Sequence, residues 1–358
     1  MIYRYFCIVV TVLLLSSCVE KSIIDDINIQ SAVAIDLADD DKLKGMVLVQ
    51  NYLPDQAVEN IRFTSTGKIR RDLLLNIQKK SSQQIVVGGL MVSIFGDKIS
   101  KKGISEAIDA YQRDPGIGSR NYLATSSGSA LKILEGEYGP RGNGTYLRNL
   151  LEHNIQYRDV PETNLHIFLR DYNSEWKDAF LPELRSINNE EVEISGISLF
   201  KRDKEIDVIP KDKMFYFKLL VDRHSNGNFL VELGENKTAM VKSIKSKRKI
   251  KMSRKNHSQM ILNIHMNGVV TEYTGKKMSK EIADVVEKEL EKKVNAESLK
   301  LIKQFQEKGV DPIGFGLVYR SKHRGAFKKI KNWGENDYKN LSFKINTKVD
   351  ISESGVIE

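Results

Sequence analysis

The thiol of Cys18 has the most distinctive chemical setting in this chain. It follows Leu15-Ser16-Ser17 at the end of an apolar run from Tyr5 to Leu15, which a lone Arg4 precedes. A positive start, a short apolar core and small residues before a cut are the parts of an export signal. Eleven core residues are too few to cross a hydrocarbon slab about 30 Å thick as a finished helix. Ser16 and Ser17 leave a peptidase room at the backbone, and cleavage after Ser17 would put Cys18 at a new N-terminus. A thiol there can be thioether-linked to diacylglycerol, which anchors the chain without spanning the bilayer. Against this stand an ordinary secretory signal with a chance cysteine, and an uncleaved anchor. Two acyl chains bury enough methylene groups for stable attachment, where one is marginal.

Other reactive groups are placed less suggestively. The histidines are His153, His166, His224, His257, His265 and His323; none forms HExxH or another close ligand pair, so no metal centre is expected. Ser126-Ser127-Gly128-Ser129 is not a GxSxG elbow, so no serine nucleophile is expected. The stretch from Gly136 to Gly144 holds four glycines and a proline but lacks the GKS or GKT ending of a phosphate cradle, and reads as a loop. Lys242 to Lys255 carries eight Lys or Arg in fourteen residues, with Val241, Ile244, Ile250 and Met252 interleaved or adjacent. That pattern suits a strand with a basic face. Lys247, Arg248, Lys249 and Lys251 are its core, open to three readings: a solvated surface, contact with phospholipid headgroups, or contact with a partner subunit. No catalytic residue and no cofactor is expected.

The elements that must position these groups fill a long chain. From Cys18 to Glu358 there are 341 residues, enough for two or three domains with real cores. A composition of 41% hydrophobic and 29% charged residues is globular, and nothing after the signal is long and apolar enough to span a membrane. Loss of Cys7 with the signal and acylation of Cys18 leave no cysteine for a disulfide. The net charge of +9 draws a tethered chain toward an anionic lipid surface, less so in salt. Nucleic acid is not an expected partner on that side of the membrane.

In order, Ser31–Asp36 and Leu43–Val49 read as a hairpin about Asp39-Asp40-Asp41. Lys68–Lys79 reads as a helix, Ile85–Phe95 as a strand broken by Gly88-Gly89, and the stretch bearing Ile104, Ala107, Ile108 and Tyr111 as a helix stopped before Pro115. Tyr122–Thr125 is a strand, Ser129–Glu135 a short helix, Tyr146–Ile155 an amphipathic helix, and His166–Leu169 a returning strand. After a boundary near Leu184–Glu190 the text becomes strand-dense: Val192–Phe200, Met214–Val221, Phe229–Leu233 and Ala239–Ile250, with Asn226-Gly227 as a turn. Met260–Met266 pairs with Val269–Glu272 across a tight turn at Asn267-Gly268. Met278–Lys308 is one long helix or two abutting ones, disturbed at Asn295 and ended by Gly309 and Pro312. Leu341–Ile351 closes the chain as a strand with Phe343, Ile345 and Val349 inward.

The residues around Cys18 resemble the lipobox of bacterial lipoproteins: Leu, two small residues, Cys. Beyond it the chain resembles the Ger(x)C family, the lipoprotein C subunit of Bacillus-type spore germinant receptors. The resemblance rests on Arg113-Asp114-Pro115-Gly116-Ile117, Tyr122-Leu123-Ala124, Ala130-Leu131-Lys132-Ile133-Leu134, Gly196-Ile197-Ser198-Leu199-Phe200-Lys201-Arg202-Asp203, and Asp311-Pro312-Ile313-Gly314-Phe315-Gly316. One departure is Val19-Glu20-Lys21, where the family commonly has Trp-Asp and a basic residue.

The resemblance implies diacylglycerol and N-acyl lipid on Cys18, retention on the outer face of the membrane (in a spore, the inner membrane), and integral-membrane A and B type receptor subunits as partners. It implies no catalytic machinery. The expected fold is α+β, multi-domain with three units of mixed sheets packed with helices: signal peptide 1–17, an α/β unit 18–190, a small β-rich unit 191–238, and a unit 239–358 with a long helix over a sheet. The expected function is a non-catalytic subunit needed for germination and receptor assembly. The alternative is a solute-binding lipoprotein that passes a small nutrient to membrane partners, which a deep apolar pocket with converging polar groups would favour.

Overall fold

Three aspartates, Asp39 to Asp41, turn the chain between two aliphatic strands, β1 (Ile27–Leu37) and β2 (Leu43–Tyr52). Asp41 takes a φ of 62° there, a conformation that aspartate tolerates better than most residues. The computed structural model of the chain describes residues 3, 26–53, 58–234, 236–256, 258–275, 278–322, 333–334 and 337–353. Cys18 and its flanks, His257 and His323 lie outside them.

The first sheet has nine strands. To β1 and β2 it adds β3 (Val58–Gly67), β4 (Gln84–Val86), β5 (Val92–Phe95), β6 (Tyr122–Ser126), β7 (Phe180–Ser186), β8 (Val192–Lys201) and β9 (Lys204–Pro210), in the order β3-β2-β1-β5-β6-β7-β8-β9 with β4 beside β1. The pairs among β1, β5, β6 and β7 are parallel and the outer hairpins antiparallel, so the sheet is mixed. Alternation along β1 sends Val33 and Ile35 to one face, against α1 (Arg70–Gln78), α3 (Ser105–Arg113) and α6 (Leu165–Tyr172). Ala32 and Ala34 face α4 (Ala130–Glu135) and α5 (Asn143–Tyr157). The short α2 (Asp97–Lys102) follows β5. Helices on both faces are what a sheet needs when both of its faces are apolar.

The second sheet has four strands, β10 (His224–Glu232), β11 (Thr238–Met252), β12 (Gln259–Tyr273) and β13 (Ser342–Glu353), in that order. Its last pair is parallel. One face packs under α8 (Lys280–Lys308), whose Val286, Leu290, Val294, Leu301, Ile302 and Phe305 are buried. Ser279 caps the start of α8 and Gly309, at φ 69°, ends it, an N-cap and a left-handed C-terminal glycine of the usual kinds. The strand-dense stretch 191–238 is thus shared: β8 and β9 pair within the first sheet and β10 within the second.

Between the sheets lies α7 (Met214–Val221), every residue of which is buried. Its MFYFKLLV sequence has no polar stripe and reads as a strand, but a helix apolar all round is one enclosed on all sides. Lys218 is the only charged residue in it. Its ammonium donates to the carbonyls of Ile155 and Arg158 at the end of α5, the latter at 2.7 Å. Through α7 the cores of both sheets form one continuous apolar cluster, from Ala32 and Ile94 to Leu262 and Phe305.

Several local expectations fail for identifiable reasons. Residues 166–169 lie in α6, whose start Asn164 caps by accepting from the Ile167 amide at 2.9 Å. Asn226-Gly227 lies inside β10, beside a bulge against β11. Asn267-Gly268 is no turn: β12 runs straight through, paired along its length with β11 and β13. Glycine serves there because an added Cβ would lie 2.7 Å from Val241 Cγ1. Asn295 does not disturb α8; its Oδ1 accepts from the amide and hydroxyl of Thr347 at 3.1 and 2.8 Å. Glu291 and Glu287, one and two turns earlier, accept from the amides of Val349 and Ile351 at 2.9 and 2.7 Å. One face of α8 thereby occupies the free edge of β13.

Candidate functional site

The basic run becomes β11, and alternation along it decides which cations act together. Lys245, Lys247, Lys249 and Lys251 are exposed on the face away from α8. Cross-strand register extends that face into rows: His224, Lys247, His265 and Lys348 in one, Lys249, Asn263 and Asn346 in the next, and Lys251, Ile261 and Lys344 in a third. Asp350 lies beyond the first row, 3.3 Å from His265 and 3.0 Å from Lys348. Among the described residues no carboxylate pairs with Lys245, Lys247, Lys249, Lys251 or Lys344. The result is a broad cationic surface on a rigid sheet, suited to a diffuse anionic partner.

Arg248 is not part of that face. It points to the opposite side, where Nη2 donates to the Val221 carbonyl at 2.8 Å and the backbone amide to Arg223 at 3.0 Å. Burial lowers its guanidinium pKa to about 10. Of the four cations singled out from the sequence, the structure groups Lys247, Lys249 and Lys251 and removes Arg248. Period-two alternation was the signal that separates them.

The sequence segments that resembled a family have structural explanations. Asp311, fully buried, accepts from the amides of Gly314 and Gly316 at 2.8 Å and from Trp333 Nε1 at 2.9 Å. It thereby caps α9 (Phe315–Lys322). Its own amide donates to Asp178 at 2.7 Å, and the Asp178 amide donates back to its carbonyl at 3.0 Å. Gly316 must lack a side chain, since a Cβ would meet the Trp176 carbonyl at 2.6 Å. This motif is the joint that locks α9 to the segment entering β7. Burial pushes the Asp178 carboxyl up to about 7, and burial raises Asp311 also, against its three donors.

Arg113 pairs with Asp109, and Asp114 Oδ1 accepts from the Gly116 amide at 2.9 Å, a local turn. Ser129 caps α4 and donates to Asp36, whose carboxylate also accepts from the amides of Ala130 and Leu131 at 2.8 and 3.2 Å. The C-terminal end of the parallel strands, where open α/β sheets often hold ligands, is therefore occupied by the chain's own carboxylate. The glycine-rich loop is tied down by Asn143, which reaches the carbonyls of Leu134 and Gly136 and the amide of Tyr138. Among the described residues no three His, Cys, Asp or Glu gather as a metal site. No described helix is long and apolar enough to cross a membrane.

Comparison with known proteins agrees with this arrangement. Residues 20–186 match the model of the spore germination protein N-terminal domain, and residues 195–355 that of the spore germination B3/GerAC-like C-terminal domain. The chain is 30% identical over 369 aligned positions to the spore germination protein GerQC of Bacillus cereus, covering 99% of each. Its fold is similar to the crystal structure of the GerBC protein, with a TM-score of 0.57 at 16% identity, over 89% of this chain and 96% of that one. The α+β, multi-domain architecture of mixed sheets and helices is shared with that structure. On the strength of full-length similarity and both domain matches, the chain belongs to the Ger(x)C family of spore germination proteins.

Proposed function

We propose that this protein is the non-catalytic, lipid-anchored C-type subunit of a nutrient germinant receptor. In this reading diacylglycerol and N-acyl lipid on Cys18 hold it to the outer face of the cell membrane, in the spore the inner membrane, beside integral-membrane A and B type subunits whose assembly it supports. The observation that carries the reading is the end-to-end similarity to a spore germination protein. The lysine face of β11 gives it an orientation: unpaired cations on a flat sheet complement anionic headgroups, each Lys near such a surface adding about 1 kcal/mol. Asp311 and Asp178 serve the joint between α9 and the segment entering β7.

The test is recovery of the tagged protein from spore membranes, comparing wild type with Cys18→Ala. The wild type should bring down an integral-membrane partner and the variant should leave the membrane fraction. A wild type that brings down none ends the receptor reading. An unacylated native protein still carrying residues 1–17 ends the anchoring reading.

A further inference from the structure

Arg248 poses a physical problem that its structural contacts leave unsolved. Its Nε is withdrawn from solvent and has no hydrogen-bond acceptor, and no carboxylate among the described residues pairs with it. Nη2 has the Val221 carbonyl and the charge of Asp222 acts on the guanidinium from a distance, yet a buried N–H without an acceptor is costly and calls for an explanation. Arg248 lines a groove of about 600 Å³ between α6, the end of α7 with the two residues after it, β11 and α9. That volume suits a small organic molecule and exceeds the needs of an inorganic ion.

The groove's charges are unevenly matched. Arg170 and Lys177 line it but both bind Asp171, at 2.8 and 2.7 Å. Arg223, beside Arg248, has no ion pair among the described residues. Asp222 accepts from the Glu162 amide at 3.2 Å, and both carboxylates lie on the lining. Lys249 lines the groove too, so three cations without an ion pair among the described residues, Arg223, Arg248 and Lys249, face two acids, a balance that favours a singly charged anion over a doubly charged one. Ile167, Val221, Ile313 and Val318 give the groove its apolar lining.

We propose that this groove binds a small organic carboxylate, its oxygens received by Arg248 and Arg223 and its hydrocarbon body laid along the apolar lining formed with α9. The guanidinium fork matches a carboxylate in two parallel hydrogen bonds. The site lies where two sheet units and a helix meet, a common place for a pocket. The proposal concerns this chain alone and does not depend on receptor assembly.

The experiment is calorimetric titration of the full chain in detergent with hexanoate, hexanol and inorganic phosphate. Hexanoate should bind saturably, and hexanol and phosphate about tenfold more weakly or worse, since each lacks half of the recognition. Arg248→Met should weaken hexanoate by about tenfold or more. Leu317→Glu, at an exposed position on the groove's rim, should do so while leaving Arg248 and the core untouched, and it decides the matter if the arginine variant does not fold. Unsaturable hexanoate heats, equal binding of hexanol, tighter binding of phosphate, or wild-type affinity in Leu317→Glu would each overturn the proposal.

Discussion

At Asp178 a single proton links acidity to stability. An exposed aspartate titrates near pH 4, whereas burial lifts this one to about 7. Between those values the folded protein holds a proton that the unfolded chain has released. Stability from this group is therefore complete below about pH 4 and declines as pH rises through about 7. Asp178→Asn keeps an oxygen for the Asp311 amide and abolishes the titration. Urea unfolding should find it equal to wild type near pH 4 and more stable near pH 8, by on the order of 1–3 kcal/mol. Asp311→Asn should act in the opposite sense: an amide nitrogen cannot accept from Gly316 and Trp333, so a loss of about 2–4 kcal/mol is expected at any pH. The sequence marks Asp311-Pro312-Ile313-Gly314-Phe315-Gly316 as a passage out of a helix where glycine permits close approach, but into a strand, whereas the chain enters α9 there. Asp178, the partner of Asp311, stands 133 positions away, and no local pattern announces such a contact.

Helices and strands were legible where one face meets water, as in β11, β13 and α8, and β1, β2 and β8 were legible as aliphatic runs buried on both faces. The alternation of β11 and β13, the stripe along α8 and the glycine that ends that helix all follow from sequence. Such signals failed in α7, since a wholly apolar octamer carries no periodicity to read. They failed also at Asn267-Gly268, where turn-forming residues serve close packing. Gly268→Ala should thus destabilise by about 1–3 kcal/mol through crowding of Val241, and Val241→Ala placed with it should recover part of the loss in thermal unfolding. The ladder of Glu287, Glu291 and Asn295 belongs to this scale as well. Its four-residue spacing was visible, its purpose was not, because the amides it meets lie on β13. Replacing all three by alanine should cost about 1 kcal/mol for each bond. It should also expose a strand edge able to recruit other chains, detectable as concentration-dependent light scattering absent from wild type.

For the whole molecule, the decisive quantity is how charge is distributed over a fixed frame. The lysines of β11 form one surface only because the sheet holds them in register, and Arg248 is excluded by the same geometry. Exchanging Lys245, Lys247, Lys249 and Lys251 for glutamine should weaken binding of non-acylated protein to phosphatidylserine vesicles by about tenfold or more, and flatten its salt dependence. Arg248→Gln should leave vesicle binding as it was; equal effects from the two sets would dissolve the face as a unit. Which residues lie in that frame was partly readable, but the frame's continuity was not, since it runs through α7. With its flanks gripped from both sides, that short helix works as a keystone. The two sheets then share a single interior, so parting them would bare an entire apolar helix to water.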